Sequence, residues 1–187
     1  MKTKNLISLV LALVLLCGMM ASCSKETESG LSIPSYMQSI ASEMGDYELI
    51  VPSEWLVETT QGMTSAYAED QVRSNITVCA NELSTDITTV EAYWDYFSAQ
   101  FSAVFTDFTL LEAEPAKITI GSEHQGHSVE GLQYHYTATV GDVKYRWLQT
   151  VCLHKGTIYI ITFTTTVDMY EEREEELVEI FRYFYFS

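Results

Sequence analysis

Residues 131–165 read GLQYHYTATVGDVKYRWLQTVCLHKGTIYIITFTT, and this run decides the fold class. Three β-rich segments, Gly131 to Val140, Val143 to Leu153 and Thr157 to Thr165, are separated by Gly141-Asp142 and Lys155-Gly156. Short Gly-containing connections between β-rich runs are the signal of tight hairpins. The run predicts three long antiparallel strands in meander order. Its last member contains Ile158-Tyr159-Ile160-Ile161-Thr162-Phe163, apolar on both faces. Such a strand belongs at the centre of a sheet that is covered on both sides.

Upstream, Val90, Trp94, Phe97, Phe101 and Val104 recur at intervals of three and four. That is one apolar stripe of a helix, and it needs a sheet to lie on. Thr88 and Glu91 before it have capping-box spacing. Earlier still, Tyr47-Glu48-Leu49-Ile50-Val51 reads as a strand that stops at Pro52, followed by a corner in which Trp55 covers one end of the core. Met63 to Ala68 and Asn75 to Ala80 are two further short strands. Between the helix and the meander, Phe108 to Glu112 and Lys117 to Ile120 are strands flanking Glu114-Pro115.

Downstream, Asp168 and Glu171 fit the start of a second helix. The acidic run Glu171-Glu172-Arg173-Glu174-Glu175-Glu176 falls in its first turns, where the macrodipole favours negative charge. Tyr170, Leu177, Val178 and Phe181 form its expected buried face. The tail Tyr183-Phe184-Tyr185-Phe186 is too aromatic to hang in solvent and returns to the sheet as a final short strand. The expected architecture is α+β: an antiparallel sheet of about six to seven strands sandwiched by helices.

The N-terminus carries an address. Lys2 and Lys4 precede the apolar run Leu6 to Leu16, which is short for a membrane span and of signal-peptide length. Met20-Ala21-Ser22-Cys23 then resembles a bacterial lipobox, with Cys23 as the acylated first mature residue. Cys17 is a poorer cleavage site because Leu16 precedes it. The other readings are an ordinary secretory signal cleaved nearby and an uncleaved anchor. On the lipobox reading, residues 1–22 are a signal peptide, residues 23–34 are the acylated Cys and a polar tether, and residues 35–187 are one domain. The chain would then sit on the extracytoplasmic side of a bacterial envelope, held to the membrane by its N-terminal lipid.

Charge narrows the function classes. The 187 residues hold 10 Lys plus Arg against 26 Asp plus Glu, for a net −16. Loss of Lys2 and Lys4 with the signal brings the mature chain to −18. No basic surplus exists to neutralise phosphates, so nucleic acid is excluded as a default partner. Charge-driven docking on anionic lipid is disfavoured for the same reason. The domain reads as a monomer.

Candidate sites are few. Glu123, His124 and His127 share one loop and are candidate ligands for a divalent ion. A closed site needs four ligands and a catalytic one needs three in fixed geometry, so the loop also reads as a solvated polar connection. Cys79 and Cys152 either bridge in an oxidising compartment or act as two small buried hydrophobes. No nucleophile elbow, phosphate loop, HExxH or CxxC is present, so no catalytic residue and no cofactor is assigned.

The order of strand, Pro-x-x-Trp corner, strands, amphipathic helix, meander, acidic helix and aromatic tail resembles the PsbP/DcrB-like group. Tyr47 to Trp55, Gly156 to Phe163, the helix from Asp168 and Phe184-Tyr185-Phe186 carry the likeness, which runs from about Tyr47 to the C-terminus. The resemblance implies an antiparallel sheet between helices and no catalytic motif. The group includes an extrinsic photosystem II subunit, a periplasmic protein linked to phage entry and a Ran-binding import factor, whose common theme is docking on a larger partner. The expected function is therefore a non-catalytic accessory lipoprotein that binds another envelope or secreted protein. The alternative is a lipoprotein that binds a small ligand or divalent cation through the Glu123–His127 loop.

Overall fold

The predicted meander forms as its turns require. The structure, a computed structural model, describes residues 33–187 apart from 44–45, 61, 83–86, 106 and 122–126. β7 (Ser128–Val140), β8 (Val143–His154) and β9 (Thr157–Thr166) pair antiparallel in order. Gly141 has φ +62° and no space conflict, and the Lys155-Gly156 turn has φ 49° and 83°. Those left-handed values match the right-handed twist of the strands they join. β9 lies between β8 and β5 (Asn75–Glu82) and is buried at most positions, the central place its two apolar faces predict.

The remaining strands are β1 (Met37–Ala41), β2 (Tyr47–Pro52), β3 (Leu56–Thr60), β4 (Met63–Tyr67), β5 (Asn75–Glu82), β6 (Thr109–Ile120) and β10 (Tyr185–Phe186). Among the described residues, ten strands make one sheet in the order β1-β2-β10-β6-β7-β8-β9-β5-β4-β3. This corrects the expected six to seven. It also corrects the expected all-antiparallel pairing, because β10 runs parallel to β6 while antiparallel to β2. The tail re-enters between two strands that point opposite ways, so one of its two ladders must be parallel.

Two segments expected as separate strands are one. β6 runs continuously through Pro115, opposite Leu132 of β7. Pro cannot donate to a ladder. It is tolerated because β10 meets β6 only at Thr119 and Ile120, leaving the Pro115 edge unpaired. Gly131 of β7 lets the backbones crowd: a Cβ there would stand 2.5 Å from the Val151 carbonyl oxygen.

Among the described residues, two helices complete the fold, α1 (Val90–Val104) and α2 (Tyr170–Tyr183). Both start one residue later than the sequence suggests. The α1 cap is Thr89, whose hydroxyl accepts the Ala92 N–H, so the Thr88–Glu91 box does not form. The α2 cap is Met169, without a side-chain bond, in place of Asp168. On α1, Trp94 is buried and Val90, Phe97 and Phe101 pack around it, whereas Val104 is exposed. On α2, Tyr170, Leu177 and Ile180 are buried, and Val178 turns outward.

Alternation along β9 divides the core. Tyr159, Ile161 and Phe163 join the cluster under α2, while Ile158 and Ile160 join the aromatic cluster under α1. Trp94 stacks on Tyr134 with 3.7 Å between ring centroids. The helices therefore lie on opposite faces, but the sandwich is not a plain one. The sheet curls into a half-barrel, so its inner face packs on itself as well as on α2. Tyr47 of β2 donates across that interior to Thr64 of β4 at 2.9 Å, both side chains being buried. Trp55, buried after the Pro52 corner, joins the core cluster under α2. No helix among the described residues is long and apolar enough to cross a membrane.

Candidate functional site

The half-barrel opens where the β1–β2 turn approaches the β3–β4 hairpin. A cleft of about 310 Å³ lies there, with Glu43 and Asp46 on one lip and Thr59, Thr60 and Met63 on the other. Among the described residues no Lys or Arg lines it. Its back wall is the buried Tyr47–Thr64 pair. Burial pushes the Tyr47 phenol up from its ordinary value, so it stays protonated.

Asp46 is fixed in place. Its carboxylate accepts hydrogen bonds from the Ser42 and Tyr159 hydroxyls, and its N–H donates to Ser42 Oγ at 3.0 Å. Burial works against the charged form, but these bonds outweigh it and hold the carboxyl below the usual range. Tyr159 is pushed the other way, by burial first and by Asp46 second. The pair acts as a structural clamp, because the Asp46 carbonyl also accepts the Ser187 N–H at 3.0 Å.

The clamp continues through the tail. Gly121 N–H donates to the Phe186 carbonyl at 2.7 Å, and Lys155 Nζ donates to the Ser187 carbonyl at 2.9 Å. His154 stacks on Phe186 at 4.5 Å. Burial lowers the His154 pKa, Lys155 adds to the effect, and Asp46 opposes it. A second, half-buried ionic group ties the β4–β5 loop to α2. Asp70 accepts the Val72 and Ser74 N–H groups and pairs with Arg173 at 3.1 Å, while Arg173 also meets Glu176 at 2.7 Å. The Arg146 guanidinium lies 3.6 Å from the Tyr170 ring centroid.

Beyond the cleft, β3 forms one edge of the sheet, and all five of its residues are exposed. Leu56, Val57 and, across the hairpin, Met63 present apolar side chains to solvent. This edge and the cleft escape sequence reasoning. Leu56-Val57-Glu58-Thr59-Thr60 is too short and too mixed to read as a strand. Asp46 and Tyr159 are brought together from distant parts of the chain with no local signal.

The sites expected from sequence are placed differently. Glu123 and His124 lie outside the described residues, as does Cys23. His127 is exposed, and its carbonyl accepts the Ile120 N–H at 3.0 Å as β7 begins. Among the described residues no three His, Cys, Asp or Glu side chains converge as metal ligands. Cys79 and Cys152 are free thiols. Cys79 is on β5 and Cys152 on β8, with β9 between them, and they belong to the clusters on opposite faces. Their Cβ vectors diverge, so the bridge entertained from sequence does not form. Burial pushes both thiols up, Cys152 to about 12.

No family model matches the chain, and no curated protein matches it. Solved structures do. Cyanobacterial PsbP (CyanoP) from Synechocystis superposes with TM-score 0.60 at 15% identity, over 90% of this chain and 99% of that one. A point mutant of Mog1 superposes with TM-score 0.52 at 10% identity, over 80% of this chain and 95% of that one. At such identities the likeness concerns the path of the chain. The fold of this protein is the PsbP-like fold.

Proposed function

We propose that this protein is a non-catalytic accessory lipoprotein of a bacterial envelope. It is anchored through Cys23 on the extracytoplasmic side and docks on a larger envelope or secreted protein. One observation carries the reading. Four half-buried or buried ionisable groups, Asp46, Asp70, Arg173 and His154, are engaged in contacts that hold the fold, whereas the β3–β4 end leaves apolar side chains open. A site built for chemistry turns perturbed groups toward a common substrate space. Here they tie strand to strand and loop to helix. Apolar side chains at an open sheet edge are the feature that a partner would cover.

The test is a crosslinked pull-down from native membranes, with the lipidated protein as bait and the Cys23→Ala form as control. One stoichiometric protein partner, lost from a Leu56→Asp, Met63→Asp bait, is the expected result. Turnover of a substrate by the purified domain, abolished by one polar point mutation, would overturn the reading.

A further inference from the structure

Among the described residues, the sheet edges at β6, β1 and β3 are not alike. The β6 edge, from Thr109 to Ile118, is defended. Pro115 removes a donor, the register breaks between Leu110 and Glu112, and Glu112, Glu114 and Lys117 place charge along it. Those are the devices by which proteins refuse a foreign strand. The β1 edge is less exposed: Met37 is buried, Gln38, Ser39 and Ile40 are half-buried, and Ala41 alone is exposed. Among the described residues, the β3 edge has neither defence nor cover. Leu56, Val57, Thr59 and Thr60 are β-formers, all are exposed, no Pro or bulge interrupts the register with β4, and Glu58 is the one charge.

We propose that β3 is a strand-addition site for an extended segment of a basic protein partner. The segment lies along Leu56–Thr60, extends the ten-stranded sheet by one strand, and sets a Lys or Arg against Glu58. Backbone bonds supply affinity in this mode and side-chain pairs supply selectivity. Charge decides the occupant. β3 is centred on Glu58, so a second copy pairing antiparallel through the same edge would bring Glu58 against Glu58, in two chains of net charge −16. Like charges directly opposite destabilise a ladder. At the Thr60 end the strand runs into the cleft, whose lip carries Glu43 and Asp46 and no basic side chain. A cation on the incoming strand therefore meets acid along β3 and again at its end. The proposal rests on the accessory reading above and names the partner chemistry.

The probe is a capped heptapeptide, Thr-Val-Thr-Lys-Thr-Val-Lys, added to the full chain. Amide hydrogen exchange is read at β3, and affinity is read by calorimetry. Exchange at residues 56–60 is expected to slow at saturation. Glu58→Lys is expected to weaken binding about tenfold, and a peptide with Glu in place of both Lys to recover it on that variant. Three results would each overturn the proposal: unchanged β3 exchange at saturation, equal binding by a peptide N-methylated at alternate amides, and β3 protection in the full chain that disappears when residues 24–32 are deleted. The last would make the tether the occupant. The N-methylated peptide needs no protein variant, so a misfolded mutant cannot hide the answer. If the peptide fails while the pull-down still yields a stoichiometric partner, the strand site falls and the accessory role stands.

Discussion

Truncating Phe186 tests whether the tail closes the sheet. Phe186 is fully buried. Its backbone pairs with Tyr47 of β2 and Ile120 of β6, and its ring meets His154 at 4.5 Å, Tyr159 at 4.7 Å and Phe184 at 5.5 Å. A Phe→Ala change at such a site costs about 3–5 kcal/mol from lost transfer energy and the cavity left behind. The neighbours are other rings and β-strand backbone, which collapse poorly, so the upper half of that range applies, about 4 kcal/mol. With a urea dependence of about 2 kcal/mol per molar, the unfolding midpoint should fall by about 2 M. The assay is urea unfolding followed by tryptophan fluorescence, with Phe186→Leu and Val104→Ala in parallel. The Leu variant should lose about 1 kcal/mol and the exposed Val104 variant less than about 0.5 kcal/mol. A Phe186→Ala loss under about 1 kcal/mol would refute the argument, because no buried aromatic joint between β2 and β6 could yield so little.

Three further outcomes follow from the same geometry. Gly131→Ala forces a Cβ to 2.5 Å from the Val151 carbonyl and 2.9 Å from Cys152 Cβ. It should destabilise by about 3 kcal/mol in the same urea assay, more than Gly141→Ala, whose site is open but left-handed. The folded protein disfavours His154 protonation, so the unfolded chain binds the extra proton. Stability is then complete above pH 6.5, falls as pH drops below 6.5, and levels off once the folded value is passed. Thermal melts should show His154→Gln removing that slope. Asp70→Ala leaves the Val72 and Ser74 N–H groups and Arg173 without their shared acceptor. A loss of about 2 kcal/mol and earlier protease cleavage in the β4–β5 loop are expected.

What was legible in the sequence was whatever repeats along a short stretch. The meander announced itself because Gly141 and Gly156 sit between long apolar alternations. The α1 stripe did so because Trp94, Phe97 and Phe101 share one helical face. The tail was readable because Tyr185 and Phe186 have no reason to be in water. The misses are places where a distant neighbour decides. β1 and β3 are five-residue strands of mixed polarity, and their sheet positions come from β2 and β4. β6 looked interrupted because whether Pro115 is tolerated depends on which of its edges is free. Ile180 and Val178 were interchanged because both lie near the Leu177 stripe, and the curl of the sheet under α2 chooses between them. The cleft was invisible for the same reason: Asp46, Tyr47, Thr59, Thr64 and Tyr159 meet only after the sheet has curled.

The placement of β10 has a consequence for the order of folding. β7, β8 and β9 join through two-residue turns, so they can assemble early at little loop-closure cost. Among the described strands, β2 and β6 are joined within the sheet through β10, Tyr185 and Phe186, which come last in chain order. Until those two residues arrive, the Tyr47–Thr64 interior has no closing wall on that side. The rate at which the tail inserts should set the final folding step, and slowing it with Phe186→Leu should lengthen the lifetime of a state in which the meander is formed and β1–β2 is not yet joined to β6.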